Sequence, residues 1–133
     1  MSDDRFSLRY RSVWLAIGWL LVALVIYLSL TPRPLELHVQ HGDKYSHLLA
    51  YFVLMGWFQQ IYRAFPERTL LLAGFVALGV GIEFLQGWSG VRFFDPADML
   101  ANTLGALLAW LLGWTRFGTL LCRFEAWVLP GAR

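Results

Sequence analysis

An uninterrupted apolar run at residues 13–30 carries no charged side chain and is closed by a Thr-Pro-Arg-Pro segment at residues 31–34. As an α-helix, this run would extend for ~27 Å at about 1.5 Å per residue, close to the ~30 Å hydrocarbon core of a bilayer. A cleaved signal peptide is the alternative, because three arginines precede the run. Its apolar part would measure only ~7–15 residues and would end in a small-x-small cleavage site. This run is longer and lacks such a site, so it predicts a transmembrane helix.

The composition extends this conclusion to the whole chain. Hydrophobic residues make up 58% of the 133 residues and charged residues 15%, against roughly 45–50% and ~25% in soluble globular proteins. A soluble domain of this size could not bury so much apolar surface, because small domains have a high ratio of surface to volume. We therefore expect one integral membrane domain, residues 1–133. The net charge of +2 without a basic run argues against a nucleic-acid partner, and the single Cys122 excludes an internal disulfide.

Three further apolar segments predict three more transmembrane helices. They span residues 46–62, 69–86 and 96–114. Asp43 is placed to cap the first of these segments, and the Asp95-Pro96 pair is a strong start signal for the last. The predicted fold class is therefore an all-α membrane protein, a bundle of four transmembrane helices.

Basic residues predict the orientation of the bundle, because cytoplasmic segments carry an excess of lysine and arginine. An even number of spans places both termini on one side. Eight basic residues belong to that side: Arg5, Arg9, Arg11, Arg63, Arg68, Arg116, Arg123 and Arg133. Three belong to the other side: Arg33, Lys44 and Arg92. Both termini are thus predicted to be cytoplasmic, in a multi-pass protein of the cytoplasmic membrane.

Two segments outside the spans also carry patterns. Residues 117–128 place aromatic and aliphatic side chains at helical spacing, which predicts a short amphipathic helix in the cytoplasmic interface, with a frayed tail as the alternative. The outer loop at residues 31–42 alternates apolar and polar side chains, which is typical of extended chain over the bundle.

The acidic residues and histidines within or beside the predicted spans fall in the outer halves, and helical spacing groups the polar residues there into three stripes. The stripes are Asp43, His47 and Tyr51 on the second helix, Glu83 and Gln86 on the third, and Asp98, Asn102 and Gly105 on the fourth. Residues three or four apart share a helix face. Ionisable groups at such depth are costly and usually face the bundle interior. The stripes therefore predict one shared pocket just below the outer surface.

Most of these residues also have a purely structural interpretation. Asp43 and Asp95 can serve as helix caps, and Asp98 lies in a first turn, where a carboxylate favours the helix dipole. Lys44 and Arg92 can neutralise these carboxylates without contacting a ligand.

His47 and Glu83 are harder to explain structurally, because each interrupts an apolar helix. Glu83 at this depth needs a partner such as Arg92, Lys44 or His47, or desolvation will favour its protonated form. A polar network that only fixes helix register remains the alternative for both residues.

A metal site is a weak alternative. His47, Glu83 and Asp98 could converge as ligands, with His38 and His41 added from the loop. The chain has no His-Glu-x-x-His or similar ligand spacing. We therefore predict no metal site, and the sequence identifies no cofactor.

Two other patterns have competing interpretations. A Ser-His-Asp nucleophile is weaker than the metal site, because Ser46 is adjacent to His47 and points to a different helix face. The aromatic stretch at residues 88–94 is typical of an interfacial belt, and the alternative is a wall for an amphiphilic ligand.

The polar residues follow an ordered pattern: Asp43-Lys44-x-x-His47-x-x-x-Tyr51, then Glu83-x-x-Gln86, Arg92, and Asp98-x-x-x-Asn102-x-x-Gly105. In order and spacing it resembles the VanZ-like family of small bacterial membrane proteins, over about residues 13–113. The resemblance implies a protein of the bacterial cytoplasmic membrane. The family takes its name from a protein associated with resistance to the glycopeptide teicoplanin, so a link to glycopeptide resistance is a further expectation. Family membership does not by itself fix function.

The leading functional hypothesis is a site, open to the outer leaflet, that binds or modifies an amphiphilic cell-envelope component, either lipid-linked or peptidoglycan-related. In this hypothesis the catalytic residues are His47, Glu83 and Asp98, with His47 and Glu83 exchanging protons. The substrate-binding residues are Asp43, Lys44, Tyr51, Gln86, Arg92 and Asn102. Lys44 and Arg92 would hold an anionic head group.

Two other hypotheses belong to different classes. One is a small proton-coupled transporter that would act as a homo-oligomer, with Glu83 as the proton site. Its weakness is that the polar residues stop in the outer half, whereas a transport site must be reached from both sides. The other is a structural or partner-binding membrane protein whose polar residues only set the helix register.

Overall fold

The computed structural model describes residues 7–32, 42–90 and 92–129, and all regular secondary structure within these ranges is helical. The helices are α1 (Arg11–Leu30), α2 (Gly42–Ile61), α3 (Phe65–Ser89), α4 (Pro96–Leu112) and α5 (Leu120–Val128), with a 3₁₀ turn at Arg116–Thr119 before α5. The four predicted membrane segments and the predicted tail are all helical. The all-α class is confirmed.

The starts of α2 and α4 depend on different local chemistry. Because α2 begins at Gly42 rather than at residue 46, Asp43 lies inside its first turn, and the prediction of Asp43 as the N-cap is wrong. Asp95 is the N-cap of α4, as predicted. Its side chain accepts a hydrogen bond of 2.9 Å from the Ala97 N–H, and Pro96 opens the helix.

Helix α3 is longer than predicted at both ends. It begins at Phe65 rather than at residue 69, because the Ala64 N–H donates to the Glu67 side chain (3.1 Å) and Pro66 opens the first turn. It continues to Ser89 and ends at Gly90, whose φ of 71° is left-handed and favours glycine. At 25 residues it is the longest of the described helices.

Helices α1 to α4 form an up-and-down bundle with α2 at its centre. α2 contacts α1, α3 and α4, and it packs most extensively against α4. This packing is close at Gly105, where a Cβ atom would overlap the carbonyl oxygen of Leu48. The middle of the bundle is an apolar core. Its buried members include Val22, Leu54, Met55, Phe58, Phe75, Ala106 and Ala109.

The outer surface of the bundle is largely apolar. Leu20, Leu70 and Leu100 are each at least 70% exposed, and such apolar surface marks contact with lipid or a partner. By length and composition, α1 and α3 can each cross a membrane, and α4 with the segment after it makes a third span if that bent pair is counted as one.

Four crossings are therefore not confirmed, because α2 and α4 alone do not have the length and apolar character of a span. α4 has only 17 residues, and α2 carries charged or amide side chains at both ends. Since α2 is surrounded by the other three helices, much of its surface contacts protein rather than lipid. An enclosed helix needs a smaller apolar surface than a lipid-facing one.

The predicted tail helix packs against the start of the bundle. The chain bends by 80° between α4 and the segment Arg116–Val128. Glu125 of α5 is 7% exposed and accepts hydrogen bonds from the N–H groups of Arg9 (2.7 Å) and Tyr10 (3.0 Å) and from Trp14 Nε1 (2.5 Å). The alternative of a frayed tail is wrong.

Several features used in the predictions lie outside the described residues. They are the basic residues Arg5, Arg33 and Arg133, the candidate metal ligands His38 and His41, and most of the predicted extended loop at residues 31–42.

Candidate functional site

His47 connects α2 to α4 through two polar contacts. Its Nδ1 lies 3.0 Å from Oδ1 of Asn102, and its Nε2 lies 3.4 Å from Oδ2 of Asp98. All three side chains are buried, with exposures of 9% or less. An amide oxygen can only accept, so Nδ1 is the donor in the contact with Asn102, and Nε2 faces the Asp98 carboxylate. The predicted stripes of α2 and α4 therefore face each other.

Lys44 lies among three carboxylates. Its Nζ is 3.1 Å from Asp43 and 2.5 Å from Asp95, and it also contacts Asp98. The hydrogen bond from Lys44 holds the pKa of the exposed Asp95 carboxyl below its usual range. An ammonium group shared in this way has little capacity for an anionic head group. Of the two predicted roles of Lys44, the contacts match neutralisation of carboxylates.

Glu83 is completely buried at the same end of the bundle, with 0% exposure. Its Oε1 accepts a hydrogen bond of 2.6 Å from the backbone N–H of Asp95, the cap residue of α4. Its Oε2 is buried and finds no hydrogen-bond partner within residues 7–32, 42–90 and 92–129. The partner of Glu83 is therefore a main-chain group rather than a predicted cation.

Tyr51 and Gly79 complete the contact between α2 and α3. Tyr51 is 1% exposed, and its hydroxyl likewise has no hydrogen-bond partner among the described residues. A Cβ at Gly79 would lie 3.3 Å from the Tyr51 ring and 3.1 Å from Cβ of Asn102. Glycine at this position lets α3 approach both side chains, and Glu83 follows one turn later.

The buried and ion-paired residues that meet here are Lys44, His47, Tyr51, Glu83, Asp95, Asp98 and Asn102, and we call them the polar cluster. Gln86 lies at its edge, where it donates a 2.6 Å hydrogen bond to the carbonyl of Ser29 and so joins α3 to α1. Sequence reasoning missed this acceptor because main-chain groups leave no signal in a residue pattern. It also treated Asp95 as a cap only, although its N–H and carboxylate contact two cluster residues.

Arg92 lies apart from the polar cluster, in an open cavity of about 560 Å³. We call this cavity the aromatic groove. It is lined by Phe84, Gly87, Trp88, Gly90, Arg92, Phe93 and Phe94. The structure thus brings together eight of the nine predicted site residues at one end of the bundle, with Asp43 and Gln86 at the margin, and places Arg92 in the neighbouring groove.

A second buried polar network occupies the opposite end of the bundle. Arg68 is 3% exposed and donates to the carbonyls of Gln59 (3.0 Å), Tyr62 (3.2 Å) and Gly113 (2.6 Å). From the sequence, Arg68 was used only to predict the orientation in the membrane. Its binding of backbone carbonyls at helix ends leaves no signal in the residue pattern, where it looks like an ordinary loop arginine.

Acidic residues also lie at this opposite end. Glu67 is in the first turn of α3, and Glu125 is buried against α1. The prediction that acidic residues beside the spans occur only in the outer halves is therefore wrong.

Two weaker predictions concern other chemistry. Within the described part of the chain, no group of three or more histidine, cysteine and acidic side chains has an arrangement that could hold a metal ion. The Ser46 hydroxyl donates a 2.8 Å hydrogen bond to the carbonyl of Gly42, one helical turn earlier. It is therefore engaged by its own helix and not by His47.

Comparisons with known proteins agree with the pattern of polar residues. The VanZ/LLP1 family matches residues 35–117, a range that contains the whole polar cluster. A curated protein of Schizosaccharomyces pombe, "Uncharacterized protein C11E3.10", is 36% identical over 102 residues, covering 74% of this chain. The chain spans 60% of the length of that relative. No solved structure matches the chain. On the family match and this identity, the chain belongs to the VanZ/LLP1 family.

Proposed function

We propose that this protein binds or modifies an amphiphilic component of the cell envelope, with the polar cluster as its chemical site. The observation that carries the proposal is the buried Glu83 carboxylate, whose Oε2 has no hydrogen-bond partner among the described residues. A buried polar atom left unpaired costs about 1–3 kcal/mol, and more when it is charged. Such a cost is typical of a group retained for chemistry.

The roles within the site follow from the contacts. Glu83 and His47 are the proton-exchanging groups, because each is buried and keeps one heteroatom that is not committed to a short hydrogen bond. Asp98 and Asn102 orient the His47 ring from either side. Lys44 balances the charge of the surrounding carboxylates, and Tyr51 adds a hydroxyl that can donate to a ligand.

The location of the site supports an amphiphilic ligand. The polar cluster lies where α2 and α4 begin and where α1 and α3 end, so it is near one membrane surface if the bundle spans a bilayer. The aromatic groove adjoins it through the sequence-adjacent pairs Glu83–Phe84 and Phe94–Asp95. We propose four crossings of the bacterial cytoplasmic membrane with both termini in the cytoplasm, so that this end faces outward. Lipid-linked or peptidoglycan-related molecules are the proposed ligands, and altered glycopeptide sensitivity is a proposed consequence.

A structural role is the second candidate, and it is favoured by the fact that the cluster joins α2, α3 and α4. A network that serves only to fix helix register should satisfy its own members, because partly satisfied buried networks are costly. The unpaired Tyr51 hydroxyl and Glu83 Oε2 therefore favour the chemical role. Proton-coupled transport is disfavoured, since Leu54, Met55 and Phe58 form an apolar layer between this cluster and the second polar network.

The test is a turnover assay on the purified protein. The protein is incubated in detergent with a lipid phosphate and with a lipid-linked peptidoglycan precursor, and binding and products are followed by mass spectrometry. Wild type is expected to bind or convert one of them, and Glu83→Gln to lose conversion while remaining folded. Glu67→Gln, on the same helix at the opposite end, is the matched control. The proposal fails if neither compound is bound or changed, or if both variants behave alike.

A further inference from the structure

Arg92 is the cationic residue of an otherwise apolar cavity. Its side chain is partly buried in the aromatic groove. Across residues 7–32, 42–90 and 92–129, it forms no hydrogen bond or ion pair, whereas Lys44 contacts three carboxylates. A guanidinium group offers a planar fork of donors that matches the oxygens of a phosphate or carboxylate. Arg92 can therefore bind an anion in the groove, whereas Lys44 of the polar cluster is already paired with carboxylates.

The walls of the groove are preformed. The rings of Phe84 and Phe94 pack with centroids 5.3 Å apart. Gly87 allows this contact, because a Cβ there would lie 2.9 Å from Cβ of Phe94. Helix α3 and the loop before α4 are thus held together on one side of the cavity.

Two other residues that line the groove present aromatic surface to the outside. Trp88 is 87% exposed and Phe93 is 96% exposed. Two large aromatic side chains exposed to this extent beside the end of an apolar helix are typical of the membrane interface. An occupant would therefore contact apolar rings with its chain and a cation with its head.

We infer that the aromatic groove binds an amphiphile with a phosphate head group, which Arg92 holds while the rings of Trp88, Phe93 and Phe94 contact the start of the acyl or prenyl chain. This inference rests on the proposed function and narrows its substrate class. It also assigns the anion to Arg92 alone, rather than to Lys44 and Arg92 together. Cationic head groups are disfavoured, because the guanidinium repels them from the rings that would otherwise attract them.

The groove also places the head group beside the polar cluster. Phe94 precedes Asp95, whose N–H holds Glu83, and Phe84 follows Glu83 in α3. Two residues that line the groove, Phe84 and Phe94, are therefore direct sequence neighbours of Glu83 and of the residue whose N–H binds it. The excess of carboxylates around Lys44 keeps the phosphate itself out of the cluster, since like charges repel.

The experiment measures thermal stability in dodecyl maltoside with increasing dodecyl phosphate, a single-chain amphiphile with a phosphate head. A ligand that binds the folded state raises the melting temperature in a saturable way. Wild type should show such a rise, and Arg92→Gln should weaken the apparent affinity by about tenfold or more, since hydrogen bonds to charged groups are strong. Arg116→Gln, an exposed basic residue near the opposite end, is the matched control and should retain the wild-type response.

Two further measurements test the contact of the chain with the rings and the need for a chain on the phosphate. Trp88→Ala, at a largely exposed position that folding does not need, should also weaken the response to dodecyl phosphate. Inorganic phosphate alone should give no rise. An unchanged response in Arg92→Gln overturns the inference, and so does the absence of any rise in wild type or an equal rise with inorganic phosphate. An unchanged response in Trp88→Ala removes the proposed contact of the chain with the rings.

The proposed function fails separately from this inference. Glu83 does not line the groove, so the Glu83→Gln variant should bind dodecyl phosphate as wild type does. Suppose that binding depends on Arg92 but that no lipid phosphate is converted in a Glu83-dependent way. The binding site in the groove would then be supported, and the proposed function would fail. Conversion that depends on Glu83 but not on Arg92 would support the proposed chemistry and contradict the binding site in the groove.

Discussion

Substitution of Gly105 by alanine tests the packing that assembles the polar cluster. A Cβ at this position would overlap the carbonyl oxygen of Leu48 and lie 2.9 Å from its carbonyl carbon. These are main-chain atoms of α2, so they cannot yield by a rotamer change, and α2 and α4 must separate. The separation would also stretch the hydrogen bond between His47 and Asn102, now 3.0 Å long, which spans the same interface.

The expected magnitude is the balance of three contributions. Overpacking costs about 1–3 kcal/mol, and loss of a buried hydrogen bond costs about 0.5–1.5 kcal/mol. Alanine regains about 1 kcal/mol of helix propensity relative to glycine. We therefore expect Gly105→Ala to lose about 2 kcal/mol of unfolding free energy.

Gly74→Ala is the matched control for this substitution. Nothing lies within 4 Å of a Cβ at Gly74, so only the favourable propensity of about 1 kcal/mol applies. The two variants should differ by about 3 kcal/mol, which corresponds to roughly 10 °C for a domain of this size. The assay is thermal unfolding in detergent followed by intrinsic fluorescence. Equal melting temperatures for the two variants would refute the close contact of α2 with α4 at Gly105.

Three other predictions concern the ends of the bundle. Glu125→Gln replaces a carboxylate that accepts three hydrogen bonds, so we expect a loss of about 1–2 kcal/mol in thermal unfolding and faster proteolysis of the tail. Arg68→Met leaves the carbonyls it binds without a donor, and it should cost about 3 kcal/mol or more, whereas the exposed Arg116→Met should cost less than ~0.5 kcal/mol in the same assay. Because Lys44 lowers the folded-state pKa of Asp95, this carboxylate stabilises the fold above its unfolded pKa, and the contribution is lost as pH falls through the lower folded value. The melting temperature of wild type should therefore fall more steeply below about pH 4 than that of Asp95→Asn.

The predictability of the structure differed between its features. The helical character of the four apolar segments and the Asp95-Pro96 start were predicted correctly, because helix-forming pattern and capping chemistry are local properties of the sequence. Four membrane crossings are not confirmed, because α2 and α4 alone lack the length and apolar character of a span. The start of α2 was not predicted correctly, because Gly42 and Asp43 are compatible both with a cap before the helix and with its first turn. The length of α3 was underestimated, since its first turn depends on a hydrogen bond between the Ala64 N–H and Glu67.

The polar cluster was predictable in its membership but not in its pairing. Spacing of three or four residues identified which side chains share a helix face, and this grouped His47 with Tyr51 and Asp98 with Asn102. Spacing does not specify which faces meet or which backbone groups lie opposite. The bond from the Asp95 N–H to Glu83 and the separation of Arg92 from Lys44 therefore came only from the structure.

The melting temperature of Glu83→Gln in detergent distinguishes a chemical role of the polar cluster from a structural one. Glutamine keeps an acceptor for the Asp95 N–H and removes a carboxylate whose second oxygen is buried without a partner among the described residues. Residues retained for chemistry often reduce stability, so their replacement is neutral or stabilising. We expect a melting temperature equal to or above that of wild type, together with loss of conversion. A fall of several degrees would show that Glu83 holds the bundle together, and the structural role would then replace the chemical one.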